Sequence, residues 1–341
     1  MLSQLSRPQG YLALIAFLIA TQLPAILPVE YTHILVLTFI TGTAAIAWNI
    51  IGGYGGQFSL GNAMFFGIGA YTLGILLVQY ETSYLVAVAA ALLLAVVVAV
   101  IVGYPSFQLT GHYFALATIT IVEGLRYLAR YFQDLTGGAQ GMSLVPAYLR
   151  GVEPLGLTRA EYYFPALGLF TFTFLVSVWV RRSKLGYYLM ALREDQLAAA
   201  SLGINVARFK MYGWLVSAIL TALAGIMYAT YNQYLDPDFS FSITQSVLYA
   251  VIPIIGGIGT VAGPVVGALL MVPLEHLAVT EFGGEYGAVT YMVYGVLLIL
   301  LIMFAPEGLV PKFRFVGEWV ADRLPTFGRG SDTTEVSDPE R

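Results

Sequence analysis

The feature that most constrains this chain is a series of long apolar runs separated by short polar segments. They lie at about 10–28, 31–51, 62–80, 83–103, 108–131, 161–180, 209–231, 242–256, 264–280 and 287–305. A helix of about 20 apolar residues crosses the roughly 30 Å hydrocarbon core of a bilayer. We therefore expect an all-α, polytopic membrane protein with about eight to ten transmembrane helices, some of them discontinuous at Gly-rich segments.

Composition excludes other classes of protein. Of the 341 residues 58% are hydrophobic and 11% are charged, whereas about a quarter of the residues of a soluble globular protein are charged. The formal net charge of -4 gives no reason to expect nucleic acid as a partner. The chain has no cysteine, and its three histidines lie far apart, so we expect neither a metal site nor a cofactor.

Basic residues predict the orientation, because cytoplasmic loops collect Lys and Arg. The segment 181–210 carries six of them, namely Arg181, Arg182, Lys184, Arg193, Arg208 and Lys210. We place it inside, which puts both termini in the cytoplasm and the turn-rich loop 132–160 outside. Residues 1–320 then form one transmembrane domain of a multi-pass cytoplasmic-membrane protein, and 321–341 a disordered cytoplasmic tail.

Two Gly-rich segments interrupt the apolar runs. Broken helix inside a bilayer is tolerated only against protein or a water-filled cavity, so these segments are candidates for lining a translocation path. The candidate residues are Asn49, Gly52, Gly53, Gly55, Gly56, Gln57, Ser59 and Asn62 in the first segment and Gly256, Gly257 and Gly259 in the second. The alternative is close helix packing through small residues, as in GxxxG pairs.

The segment 183–205 predicts a short surface helix. Glu194 and Asp195 suit its first turn, the run 198–200 consists of alanines, which are strong helix formers, and Gly203 suits the left-handed residue that ends it. Such a helix could dock into a groove on another protein, or it could be a solvated connector.

Charged residues within a span are functional candidates because a charge at mid-bilayer is costly. Glu123 and Arg126 lie three residues apart, on one helix face, and Arg130 extends the row. We expect a buried structural ion pair near the outer mouth, with a role in the substrate path as the alternative.

Four motifs together resemble the branched-chain amino acid ABC transporter permease family, LivM type. They are GGQFSLGNAMFFGIGAY at 55–71, GHYFALAT at 111–118, LTGG at 135–138, and ALRED at 191–195 with LGIN at 202–205. The resemblance implies membrane-embedded import of branched-chain or similar apolar amino acids. It implies four partners: a second, LivH-like permease, two cytoplasmic ATPases and an extracytoplasmic substrate-binding protein.

The resemblance also assigns the segment around 193–204 as the loop that couples the permease to an ATPase. The coupling residues would be Arg193, Glu194, Asp195, Ala198, Ala199, Ala200, Gly203 and Ile204. The sequence contains no phosphate-binding loop of the type GxxxxGK[ST], so ATP hydrolysis is expected on another chain, and this chain is not expected to be an enzyme. Two alternatives stay open: the same machine with urea or short amides as cargo, and an ATP-independent carrier or channel.

Overall fold

A computed structural model describes residues 20–24, 27–109, 111–145, 147, 158 and 160–282, with residues 295, 296, 299, 303 and 308–311. The predicted spans 10–28 and 287–305 lie largely outside the described residues, and the predicted tail 321–341 lies wholly outside them. The other eight predicted spans each coincide with a helix to within about four residues at either end, as expected from the imprecision of boundaries read from sequence.

In chain order, the structure bounds twelve α-helices and two short strands, and described residues 20–24 and 309–311 are helical as well. The bounded elements are α1 (Val29–Trp48), α2 (Ala63–Val78), α3 (Tyr84–Ser106), α4 (His112–Tyr131), α5 (Gln133–Thr136), β1 (Met142–Ser143), α6 (Tyr163–Arg182), α7 (Lys184–Glu194), α8 (Gln196–Ser201), α9 (Val206–Asn232), β2 (Tyr234–Leu235), α10 (Pro237–Ser240), α11 (Ile243–Gly257) and α12 (Gly263–Phe282). A π-helical turn, Asn49–Tyr54, continues α1, and a 3₁₀ turn, Gly138–Gln140, precedes β1.

Five helical stretches are long and apolar enough to cross a membrane: Val29–Tyr54, Tyr84–Ser106, Tyr163–Arg182, Val206–Asn232 and Pro237–Gly257. Two shorter apolar helices, Ala63–Val78 and Gly263–Ala278, accompany them. The all-α, polytopic membrane fold is therefore confirmed. Helix α4 has the length of a span, but Glu123, Arg126 and Arg130 lower its hydropathy.

Helices α1 and α9 form the centre of the described bundle. In each helix we compare the most apolar window of 18 residues. The buried share of this window is 78% in the stretch that includes α1 and 72% in α9, against 28% in the peripheral helix α3. Helix α9 packs against α1, α2 and α3. At its centre the Trp214 ring lies 5.0 Å from Phe65 and 5.9 Å from Phe114, measured between ring centroids. Such aromatic pairs add to the packing energy of the core.

Glycines bring the backbones of α2 and α9 into direct contact. A Cβ atom at Gly69 of α2 would lie 2.9 Å from the carbonyl carbon of Ala222. A Cβ atom at Gly225 of α9 would lie 2.8 Å from the carbonyl carbon of Phe66. Because the obstacle in both cases is backbone, neither position can accept a side chain without separating the helices.

We expect Gly225→Ala to lower the free energy of unfolding by about 1–3 kcal/mol, the usual cost of overpacking a core. Gly168 of α6 provides a matched control, because it is exposed and its Cβ would meet nothing within 4 Å. Gly168→Ala should be neutral or stabilise the helix by up to about 1 kcal/mol. Denaturation of the purified variants in detergent measures both, and equal stability of the two would contradict the packing described here.

The helices place the connecting segments at two ends of the bundle. One end, the hairpin end, holds β1 and β2, which pair antiparallel with Met142 opposite Leu235. Gly137, Gly138 and Gly141 adopt positive φ there, which is the turn chemistry expected for the segment 132–160. The opposite end, the junction end, holds both Gly-rich segments together with α7 and α8.

Candidate functional site

The first Gly-rich segment breaks the helix that contains α1. The α-helix changes to a π turn at Asn49, and all residues of that turn are buried. The backbone leaves helical geometry after Gly55, with Gly56 at φ +64°, and α2 starts at Ala63. π-Helical turns are rare and occur frequently at functional sites.

The second Gly-rich segment is a tight turn between α11 and α12. Gly257 and Gly259 adopt φ values of +124° and +76°, which favour glycine. The Thr260 hydroxyl donates to the Gly257 carbonyl over 2.7 Å and accepts from the Gly263 amide over 2.9 Å. The side chain of Thr260 thereby satisfies backbone groups that the turn leaves without helical partners.

The two breaks meet through the Asn49 side chain. Its Oδ1 accepts from the Gly259 amide over 2.9 Å, and its Nδ2 donates to the Thr260 carbonyl over 2.9 Å. Asn49 is fully buried, so these two bonds supply its side-chain amide with partners in place of water. We call this contact between the π turn and the segment 256–260 the glycine junction. The sequence showed two similar segments but gave no sign that they touch.

Most of the candidate path residues are packed against protein in this arrangement. A Cβ atom at Gly53 would lie 2.9 Å from the Gly259 amide nitrogen, and one at Gly256 would lie 3.0 Å from Gly263 Cα. Among the candidates Gly56 is exposed and Gly259 half-buried, whereas the others are buried: Asn49, Gly52, Gly53, Gly55, Gln57, Ser59, Asn62, Gly256 and Gly257. Close packing therefore accounts for the glycines at the junction, and a path-lining role stays a prediction.

Ser59 and Asn62 lie in a buried polar cluster that connects the first break to the helices around it. The Ser59 carbonyl accepts from Trp48 Nε1 over 2.6 Å. Asn62 Nδ2 donates to the Ser217 hydroxyl of α9, and the Ser246 hydroxyl of α11 accepts from the first amide of α2. Among the described residues Asn62 Oδ1 has no hydrogen-bond partner.

The segment 183–205, to which the family resemblance assigns coupling and which we call the coupling segment, forms two short helices, α7 and α8, where the sequence predicted one. Asp195 separates them and caps α8, because its Oδ1 accepts from the amides of Leu197 and Ala198 over 2.8 and 3.0 Å. The prediction for Glu194 was wrong: it is the last residue of α7, not part of the first turn of α8. The backbone extends at Asp195 (φ -155°), so only this carboxylate reaches the helix start.

The end of α8 was predicted correctly. Gly203 has φ +85°, the left-handed conformation, and its amide donates to Ala200 while the Ile204 amide donates to Ala199. These two bonds satisfy carbonyls at the helix C-terminus. Ala199 is buried, whereas Ala198 and Ala200 are exposed.

Sequence reasoning missed the two leucines that flank the alanines. Leu197 is 84% exposed and Leu202 is 82% exposed. Exposed leucines are common on the membrane-facing helices, but these two lie in the segment that carries Glu194, Asp195 and Arg208. The signal that could have found them is an apolar residue on either side of a small-residue run in an otherwise charged segment. We call Leu197, Ala198, Ala200 and Leu202 the leucine face.

Two polar side chains connect the coupling segment to the helical bundle. Arg193 Nη1 donates to the Gly53 carbonyl over 2.7 Å. Lys210, in the first turns of α9 and only 2% exposed, donates to Gln196 Oε1 of α8 over 2.9 Å. Sequence reasoning treated Lys210 as one more basic residue at a span end, because its burial depends on how α8 folds back over α9.

The predicted ion pair between Glu123 and Arg126 exists, and within the described bundle it is half-buried. Arg126 Nε lies 3.0 Å from Glu123 Oε2, and the two side chains are 23% and 24% exposed. Helix α4 is buried along the stripe of Phe114, Thr118 and Val122, and Arg126 lies at the edge of this stripe, four residues after Val122, so the pair is only partly covered. Arg126 also donates to Asp238 over 3.0 Å, so the pair connects α4 to α10.

Comparison with known proteins identifies the family. Residues 31–302 match the family model described as branched-chain amino acid transport system, permease component. The chain belongs to this permease family. The match covers all eight described spans, and it confirms the resemblance drawn from the motifs, including the LivM type.

Named relatives of this permease come from bacteria and an archaeon. It is 28% identical to the high-affinity branched-chain amino acid transport system permease protein LivM of Escherichia coli (strain K12), over 82% of this chain and 69% of that protein. It is 23% identical to a probable LivM of Methanocaldococcus jannaschii, over 65% and 68%. It is 24% identical to LivH of Salmonella typhimurium, over 79% and 90%. No solved structure matches the permease.

Proposed function

We propose that this permease is one subunit of an ATP-driven importer that carries branched-chain amino acids across the cytoplasmic membrane by alternating access. The observation that carries the proposal is the leucine face, displayed on a capped helix beside the glycine junction. The complex would contain a second permease, two cytoplasmic ATPases and an extracytoplasmic substrate-binding protein. The names of the relatives support branched-chain amino acids over urea or short amides as cargo.

The coupling segment has the geometry that docking on a motor protein requires. The caps at Asp195 and Gly203 satisfy backbone groups at both ends of α8, so contacts within this chain support the helix that carries the exposed residues. A preformed docking helix loses little conformational entropy on binding. The basic residues of 181–210 support a cytoplasmic location for this segment. With the ten predicted spans, both chain termini would lie on the same side.

Movement would pass from the ATPases to the bundle through this segment. ATP binding would draw the two ATPases together, and each would carry its coupling helix with it. The Arg193 and Lys210 side chains connect that segment to the glycine junction and to α9. The permease would then change from inward-facing to outward-facing and accept substrate from the binding protein.

Reconstitution tests the proposal directly. Vesicles that contain the permease, its partner permease and the ATPases should take up radiolabelled leucine only with ATP inside and binding protein outside. Uptake by the permease alone, without ATP, would contradict the proposal and support a carrier or channel.

Gly203→Val should uncouple ATP hydrolysis from leucine uptake. Valine in the left-handed conformation is strained by about 1–2 kcal/mol, so the backbone after α8 would reorient Leu202 and Ile204. Gly203→Asn is the matched control, because asparagine tolerates this conformation. Charge reversal at the exposed Glu194 should uncouple in the same way. The readout is ATP hydrolysed per leucine imported, with membrane insertion measured alongside, and an unchanged ratio in Gly203→Val would count against the assignment.

A further inference from the structure

Arg193 reaches from α7 into the glycine junction and contacts both breaks. Its Nη1 donates to the Gly53 carbonyl over 2.7 Å. Its Cγ lies 3.0 Å from the Cβ position of Gly56, and its Cζ lies 3.4 Å from the Cβ position of Gly259. A single side chain of the coupling segment, Arg193, therefore contacts both Gly-rich breaks, which are about 200 residues apart in the sequence.

The position of the Gly53 carbonyl explains why a cation binds there. The π turn ends at Tyr54, and the last carbonyls of a helix lack amide partners from a following turn. They also form the negative end of the helix dipole, which favours a nearby cation. The Arg181 guanidinium lies 5.8 Å from the Tyr54 ring at the same helix end. A charge-assisted bond from arginine is stronger than one between neutral groups.

The glycines around Arg193 leave room for that side chain. Gly56 and Gly259 have φ values of +64° and +76°. A Cβ atom at Gly259 would overlap the Arg193 guanidinium, and one at Gly56 would press on the Arg193 backbone at 3.1 Å. The two positive-φ glycines are therefore part of the Arg193 site, beyond any role in turning the chain.

Beside this bond, α7 packs on the π turn through apolar side chains. Leu189 is fully buried in one cluster with Ile50 and Tyr54, and Leu185 packs against that cluster. Apolar packing is non-directional, so such surfaces can slide over one another. A hydrogen bond with fixed geometry resists sliding, so the bond from Arg193 can convert displacement of the coupling segment into displacement of the junction.

We propose that Arg193 is a positioning residue that transmits movement of the coupling segment to the glycine junction, through its bond to the Gly53 carbonyl. This inference rests on the proposed function and assigns the residue a role inside its own chain. It differs from a docking role, in which Arg193 would bind the ATPase, because it predicts that assembly with the ATPases does not depend on Arg193.

The test uses the complete reconstituted importer with Arg193→Ala, Arg193→Lys and Arg208→Ala. Arg208 is exposed in the first turn of α9, directly after the coupling segment. Arg208→Ala removes the same charge as Arg193→Ala and keeps the bond from the residue 208 backbone amide to Asn205, so it is the matched control. We expect Arg193→Ala to retain the ATPases and to hydrolyse ATP within about twofold of wild type. Leucine imported per ATP should fall about tenfold or more, as expected for loss of one charge-assisted hydrogen bond.

Arg193→Lys should restore import in part, because lysine keeps a charged donor but not the planar fork of arginine, and Arg208→Ala should resemble wild type. The inference is overturned if Arg193→Ala imports with wild-type stoichiometry, or if it loses the ATPases. Should Arg193→Ala fail to insert, Arg193→Gln replaces it, and wild-type stoichiometry in that variant overturns the inference equally. Failure of the proposed function would appear in the wild-type complex itself, as leucine uptake that does not require ATP.

Discussion

Replacing Leu197 and Leu202 together with aspartate should abolish ATP-driven uptake while leaving the fold of the permease intact. Both side chains are more than 80% exposed, so substitution removes little packing within this chain. Burying a leucine in an interface is worth about 1.5–3 kcal/mol. Loss of two such contacts should weaken binding of the ATPase at least about a hundredfold. Burying the introduced carboxylates in the interface would lower the affinity further.

Co-purification of the ATPases with the permease measures this effect, together with leucine uptake in vesicles. The matched control is the double substitution of the same two leucines by methionine, which keeps apolar volume and exchanges side chains of similar size. It should retain the ATPases and transport. Normal co-purification and uptake by the aspartate variant would show that the leucine face does not touch the motor.

Asn49→Ala should be the most damaging single substitution at the glycine junction. It removes both bonds between the breaks and leaves the Gly259 amide and the Thr260 carbonyl without partners. An unsatisfied buried group costs about 1–3 kcal/mol. Gly259 and Thr260 are half-buried, so each costs toward the lower end of that range, and the free energy of unfolding should fall by about 2–3 kcal/mol. Transport should fall with it, because the two discontinuous segments would no longer be held together.

Thr43→Val provides the control for Asn49→Ala. Thr43 is also fully buried on α1, but its hydroxyl donates to the Phe39 carbonyl within the same helix, so the hydrogen bond that the change removes does not join two elements. Thermal denaturation in detergent should separate the two variants clearly. If both melt at the same temperature and transport equally, the junction contributes nothing to the stability of the permease.

Much of this architecture follows from local patterns. Apolar runs predicted the helices because a span needs an uninterrupted apolar stretch. The Asp195 cap and the left-handed Gly203 depend on residues within one or two turns, so they could be predicted in position, although Glu194 was assigned to the wrong helix. The partial burial of the Glu123 and Arg126 pair was not predictable, because it depends on which face of α4 the bundle covers.

The sequence by itself therefore determined a helical membrane protein, its breaks and its family, since these depend on composition, spacing and motif order. The tertiary structure decided that the two breaks meet at Asn49 and that Arg193 lies between them. Contacts over 140 and 210 residues leave no local pattern, because side chains so far apart are brought together only by the packing of whole helices. The exposure of Leu197 and Leu202 was likewise decided by how α8 folds back on α9.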